Sequence, residues 1–349
     1  MSLSKTQFSD IDLSDPFFDS LKADYAEFPV WFAKKANESA YVFRGDSGAI
    51  DGFLYLKIED GPLSDVEPPL AAARRLKVGT LKINPHGTRL GERFVKKIFD
   101  HAIAEKVQEI YVTAFERHGA LVALFHRYGF ESVATKTSPN GTELVLLKEI
   151  PKDQPNLLQR YPIAKIGDNA IYMLSLYPKW HTRLLPDSIL KTEDASIVED
   201  VSHTNSIHKV YLAAMKGMQD LRSGDILLIY RTTDGVGAAH YRSVVTSVCV
   251  VERYRNISSF PDKDAFIKYC LPYSVFELSE LEDFWKSKKY PHVLRFTYNF
   301  ALPRRVTRGK MIEEMGFDPG AYWGFMPLTR EQLRTVLEAA NLDEDLVIN

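Results

Sequence analysis

The chain is 349 residues long, 45% hydrophobic and 26% charged, with a formal net charge of -2. That length suits two domains better than one, and the composition excludes a disordered or fibrous chain. A charge so near zero excludes a global field that would draw the protein onto nucleic acid or an anionic membrane.

The two cysteines, Cys249 and Cys270, lie far apart and outside any C-x-x-C pair, which argues against a disulfide framework and suits a reducing compartment. The nine histidines show no metal-ligand spacing, so no metal site is expected. The start MSLSKTQFSD has no basic residue followed by an apolar run, and no stretch approaches the ~18 apolar residues of a membrane span. A soluble cytoplasmic protein without a membrane partner is the expectation.

In chain order, Ser14 or Asp15 can cap a helix whose first turn holds Pro16, and Phe17, Phe18 and Leu21 give it an apolar face. Pro29 separates it from a second helix around VWFAKKA. AYVF and AIDGFLYLKI flank the turn RGDSG and predict an antiparallel hairpin. The next strand, RRLKVGTLKINP, changes phase: Leu76 and Val78 set one alternation, Leu81 and Ile83 the other, so a bulge is expected at Gly79-Thr80. Leu90, Phe94 and Ile98 mark an amphipathic helix. EIYVTAF predicts a strand, HGALVALFHRY a short helix, and GFESVATK with TELVLLKEI a closing pair of strands. The three prolines of IPKDQPNLLQRYP place a linker over residues 151–162, between domains 1–150 and 163–349. Both read as mixed α/β.

Between the bulged strand and the amphipathic helix lies PHGTRLGERF, residues 85–94. A strand-to-helix loop of this kind aims backbone N–H groups and a helix dipole at one point, an anion site suited to a pyrophosphate. It is neither a P-loop nor a Rossmann fingerprint.

Residues 1–150 resemble the GNAT family of acyl-CoA N-acyltransferases. That family's Q/R-x-x-G-x-G/A loop falls on His86, Gly87, Thr88, Arg89, Leu90 and Gly91, with His86 in place of Gln or Arg, and Arg89 in place of the first glycine. Its N-x-x-A-x-x-L-Y-x-x-x-G-F signature falls on His118 through Phe130, with His118 for Asn and Phe125 for Tyr. The resemblance implies acetyl-CoA as cofactor, its pyrophosphate on residues 86 to 91. Pantetheine and the acyl carbonyl would lie on the main chain of Thr80, Leu81, Lys82 and Ile83, with Phe125 beside them. Arg89 either adds a positive charge there or points to solvent. Phe125 cannot donate the proton that tyrosine gives in many family members, so Tyr128 or His118 is the candidate substitute. Glu59 and Asp60, at a strand end, are the candidate carboxylates for an incoming amine.

The second half alternates in β fashion through AIYMLSLYP, GDILLIYRT, HYRSVVTSVCVVERY and HVLRFTYNF, with SIHKVYLAAM and DAFIKYC read as short helices. Thr329 and Gln332 predict a capping box on a last helix. Such a pattern predicts a small barrel. It resembles the PUA-like superfamily, of the ASCH or EVE type, on LRSGDILLIYRT, RSVVTSVCVVERY, MLSLYPKW and FMPLTREQL. The resemblance implies an RNA-binding cleft. Lys209, Tyr211, Tyr230, Arg231, Arg242, Trp323 (with Tyr322), and Arg304, Arg305, Arg308 and Lys310 of PRRVTRGK are the candidate contacts. Three functions follow: an N-acetyltransferase for an amine linked to RNA such as tRNA, a non-catalytic RNA-binding protein, and an acetyltransferase for a small molecule or protein.

Overall fold

The computed structural model describes residues 2–84, 89–150, 152–188 and 206–348. It divides into two units, Met1–Arg160 and Tyr161–Asn349. Both are mixed α/β.

In the first unit, β1 (Ser2–Gln7), β2 (Ser39–Arg44), β3 (Ile50–Leu63), β4 (Leu70–Ile83), β5 (Glu109–Phe115), β6 (Glu131–Ser138) and β7 (Gly141–Glu149) form one sheet. Its strand order is β1-β2-β3-β4-β5-β7-β6. Every neighbouring pair is antiparallel except β4 and β5. Two parallel strands need a crossover, and α3 (Leu90–Ala104) supplies it. It buries Leu90, Phe94, Ile98 and Phe99, the apolar stripe that the sequence shows. The other α-helices described in this unit are α1 (Asp19–Asp24), α2 (Phe28–Lys34), α4 (Gly119–Arg127) and the short Leu157–Arg160. Asp15 caps the 3-10 turn Pro16–Phe18 through a 2.9 Å bond from the Phe17 N–H. Pro29 lies inside the first turn of α2, where its missing N–H costs nothing, instead of separating two helices.

An aromatic core joins the 3-10 turn Pro16–Phe18 and α2 to the sheet through Phe8, Phe18, Phe28, Phe32 and Phe53. Phe8 meets Phe32 edge-on at 4.8 Å. β1 was not legible in SLSKTQ, which is polar on both faces; pairing with β2 makes it a strand.

The chain leaves α4 through Gly129, at φ +81, where an added Cβ would lie 2.2 Å from the Gln159 carbonyl oxygen. Both the left-handed backbone and the contact with main chain exclude a side chain here. Gly129→Ala is expected to destabilise the unit by about 3 kcal/mol, measured by urea unfolding; a change under about 1 kcal/mol would show that this turn relaxes freely.

In the second unit, β8 (Ala164–Lys165) pairs with β15 (Val347–Ile348). The main sheet contains β9 (Ile171–Leu176), β10 (His208–Ala213), β11 (Ile226–Arg231), β12 (Val244–Asn256), β13 (His292–Thr307) and β14 (Phe325–Leu328). Its order is β10-β13-β12-β11-β9-β14. β10 and β14 are edges, so among the described residues the sheet is open and the expected barrel does not close. Register shifts at Val245/Ser247, Val248/Cys249 and Val251/Arg253 bend the long β12–β13 pair without joining its edges.

SIHKVYLAAM is a strand, β10, and not the expected helix: His208–Ala213 is buried at every position, so it has no polar face for either period to reveal. DAFIKYC is helical within Lys263–Cys270. The last helix, Arg330–Ala339, opens on the expected Thr329–Gln332 capping box.

Candidate functional site

The phase slip at Gly79-Thr80 is a bulge. Tyr55 registers with Thr80 and Leu56 with Val78, which leaves Gly79 as the extra residue on β4. The β4–β5 ladder runs from Arg75↔Glu109 to Val78↔Val112 and stops one residue before the bulge. Beyond it, β4 continues to Ile83 with no β5 partner opposite among the described residues. The two strands part, and a cavity of about 780 Å³ opens there, within the usual size of a ligand site.

Leu81, Lys82, Ile83, Arg89, Leu90 and Gly91 all line this cavity. His86, Gly87 and Thr88 lie outside the described residues. Helix α3 points its N-terminus at the cavity. Its first intrahelical bond is donated by the Glu92 N–H to the Arg89 carbonyl at 3.0 Å, so the Leu90 and Gly91 N–H groups precede the helix ladder. Arg89 has φ 54, a left-handed conformation that glycine adopts without cost. Arg89→Gly is therefore expected to raise stability by up to about 1 kcal/mol in urea unfolding; a loss of stability would mean that the side chain outweighs the strain.

The opposite wall comes from α1, α2, β7 and the entry to α4. The His118 Nε2–H donates to Asp24 Oδ2 at 3.1 Å, and Arg117 donates to Asp24 Oδ1 at 2.9 Å. His118 makes no capping bond to α4; its ring is turned to Asp24 and lines the cavity. Tyr25 and Glu143 line it too, and the Tyr25 hydroxyl donates to Glu143 Oε1 at 2.7 Å. Burial, then the bond to Glu143, hold the Tyr25 phenol well above its usual range, so it remains a donor. The Lys82 amine donates to Ser20 Oγ at 2.5 Å, and burial lowers its pKa.

Four expected site residues, Tyr128, Phe125, Glu59 and Asp60, are placed elsewhere. Tyr128 and Phe125 are fully buried and absent from the cavity lining; Phe125 packs edge-on against Phe130 at 4.8 Å. At the end of α4 both side chains turn into the core, because the Gly129 turn folds the chain back over them. Glu59 lines a separate recess of about 330 Å³, with Asp60 and Arg75. It accepts a bond from the Tyr111 hydroxyl and lies 3.2 Å from Lys57 and 3.5 Å from Lys77. Burial raises its pKa, but the Tyr111 bond and Lys77 outweigh that and leave it below the usual carboxylate range, which makes it a poor base. The sequence reading missed Asp24, Tyr25 and Glu143. Glu143 had a signal: it alternates in phase with Val145 and Leu147 in TELVLL, so its carboxylate points where apolar residues belong.

In the second unit the nucleic-acid candidates do not form one surface. Lys209, Tyr211, Tyr230, Arg231 and Trp323 are buried. Covered on both faces, β10 and β11 hold their residues in the interior, and the Trp323 Nε1–H donates to the Asp318 carbonyl at 3.1 Å. Arg242 pairs with Asp234. PRRVTRGK forms the end of β13 and the start of the helix Arg308–Met315. There Arg305 donates to the Thr246 carbonyl at 3.3 Å, and Arg308 lies over the Trp323 ring at 4.5 Å. Arg304 is exposed, as is Tyr322. Among the described residues no group of His, Cys, Asp and Glu could hold a metal ion. No helix there is long and apolar enough to cross a membrane.

No family model matches the chain, and no curated protein matches it. Solved structures do. A mutant of the ZmASCH protein from Zymomonas mobilis is 10% identical, over 50% of this chain and 99% of its own, with a TM-score of 0.32. An IAA acetyltransferase from Bacillus cereus is 13% identical, over 42% of this chain and 98% of its own, with a TM-score of 0.33. Likenesses of this size carry no functional argument, and function rests on the residues of the cavity.

Proposed function

We propose that the first unit is an acetyl-CoA-dependent N-acyltransferase of the GNAT type. The observation that carries it is the cavity where β4 leaves β5 at the Gly79 bulge and runs on to the N-terminus of α3. That combination fits an extended thioester with a polyanionic end. The Leu90 and Gly91 N–H groups, the α3 dipole and the Arg89 charge would hold the pyrophosphate. The main chain of Gly79–Ile83, open on the β5 side, would hold the pantetheine arm, and an N–H there can polarise the acyl carbonyl. Bound there, acetyl-CoA supplies an acyl group already activated as a thioester. His118, its ring bonded to Asp24, stands on the same wall.

Calorimetry with acetyl-CoA tests the reading directly: no binding at millimolar concentration would end it. The finer reading, an amine carried on RNA, is tested by acetyl transfer to an aminoacyl-tRNA, and absence of transfer would leave a smaller acceptor.

A further inference from the structure

Of the charged residues that line the cavity, Glu143 is the one that is buried, at 5% exposure. On β7 it registers with Phe115 at the end of β5, beyond the point where β4 has turned away. Tyr25, stacked on the Phe115 ring at 5.4 Å, fixes one carboxylate oxygen. The cations nearby are engaged elsewhere. Lys136, its register partner on β6, donates to Asp65 at 2.6 Å, and Arg117 donates to Asp24. Among the described residues no ion pair includes Glu143. A buried carboxylate without a cation is costly, and a cationic ligand in the adjoining cavity would remove that cost. The same cavity is walled by Phe28 and Trp31, stacked at 5.5 Å, which offer an apolar surface and a π face to an ammonium.

We infer that Glu143, held by Tyr25, receives the ammonium group of the acceptor and takes its proton, and that the acceptor is a primary amine on an apolar body. The inference rests on the acyltransferase reading. Glu143 takes one proton from the ammonium; the freed lone pair on nitrogen forms the new N–C bond as the C–S bond breaks. A second proton passes from nitrogen to sulfur, and the proton on Glu143 returns to solvent. Amide, thiol and one proton are the balanced products.

Phenethylamine is the probe, with phenethyl alcohol as its uncharged counterpart. Wild-type protein without acetyl-CoA is expected to bind the amine and not the alcohol by calorimetry. Glu143→Gln should weaken amine binding about tenfold and lower kcat/KM for thiol release by ~100-fold or more, with the acetyl-CoA Kd unchanged. Tyr25→Phe, which keeps the ring, should cost about tenfold in kcat/KM. Unchanged acetyl-CoA affinity in both variants reports an intact fold. A wild type that does not bind acetyl-CoA overturns the transferase reading and this inference together. One that binds acetyl-CoA but not phenethylamine, or a Glu143→Gln variant that handles the amine as wild type does, overturns this inference alone.

Discussion

Gly91→Trp is expected to abolish acetyl-CoA binding, raising Kd by at least ~100-fold, while thermal unfolding stays within a few degrees of wild type. Gly91 is the second residue of α3, and a Cβ there would lie 2.9 Å from Leu124 Cδ2 and 3.7 Å from Ile83 Cδ1. A methyl group can be met by a small rotation of the leucine. An indole cannot, and the open space next to it is the cavity, so the ring would stand between a phosphate and the N–H groups at the helix start. Gly91→Ala is the matched control and should weaken binding only a few-fold. Wild-type affinity in the tryptophan variant would move the pyrophosphate site away from α3.

The second large effect is on stability, in the second unit. His181 is fully buried on the helix Pro178–Leu184, with Nε2 2.8 Å from Thr246 Oγ1 on β12. Burial, reinforced by Arg231 on β11 and Arg305 on β13, lowers its pKa from 6.5 to about 3. The unfolded chain therefore takes up a proton below about pH 6.5 that the folded chain refuses until about pH 3. The contribution is fully present above pH 6.5 and is lost as pH falls, at about 1.4 kcal/mol per unit. By pH 4.5 the loss from His181 alone is about 3 kcal/mol. Denaturant unfolding followed by tryptophan fluorescence reports mainly this unit, which holds three of the four tryptophans, Trp180, Trp285 and Trp323. His181→Gln, which keeps a polar partner for Thr246, should remove about 3 kcal/mol of the difference between pH 7 and 4.5. An unchanged difference would show that the imidazole is protonated in the fold.

What could be read in the sequence was local. EIYVTAF is dense in β-branched and aromatic residues and became β5 with the same bounds, Glu109–Phe115. The slip at Gly79-Thr80 was visible because alternation is a short-range signal, and one residue reverses it. The α3 face and the Thr329–Gln332 capping box were legible for the same reason. The site's far wall was not, because its contacts span the chain. Asp24 meets Arg117 and His118 across separations of 93 and 94 residues, and Tyr25 meets Glu143 across 118. No window on the sequence brings those residues together. β10 failed for a different reason: a stretch buried all round shows no period, so SIHKVYLAAM could not declare itself a strand. Aromatic and basic residues in the second unit looked like a binding surface because composition cannot tell a stacked interior tryptophan from an exposed one.

The bulge at Gly79 is also a matter of counting. Without it, the alternation that seats Leu76 and Val78 would run on unbroken, and β4 would have no local reason to leave β5 after Val78. The cavity is then encoded by the length of a strand and not by the polarity of its walls. Substitutions along those walls can reshape what the protein accepts, whereas losing a single codon at this point would take the opening away.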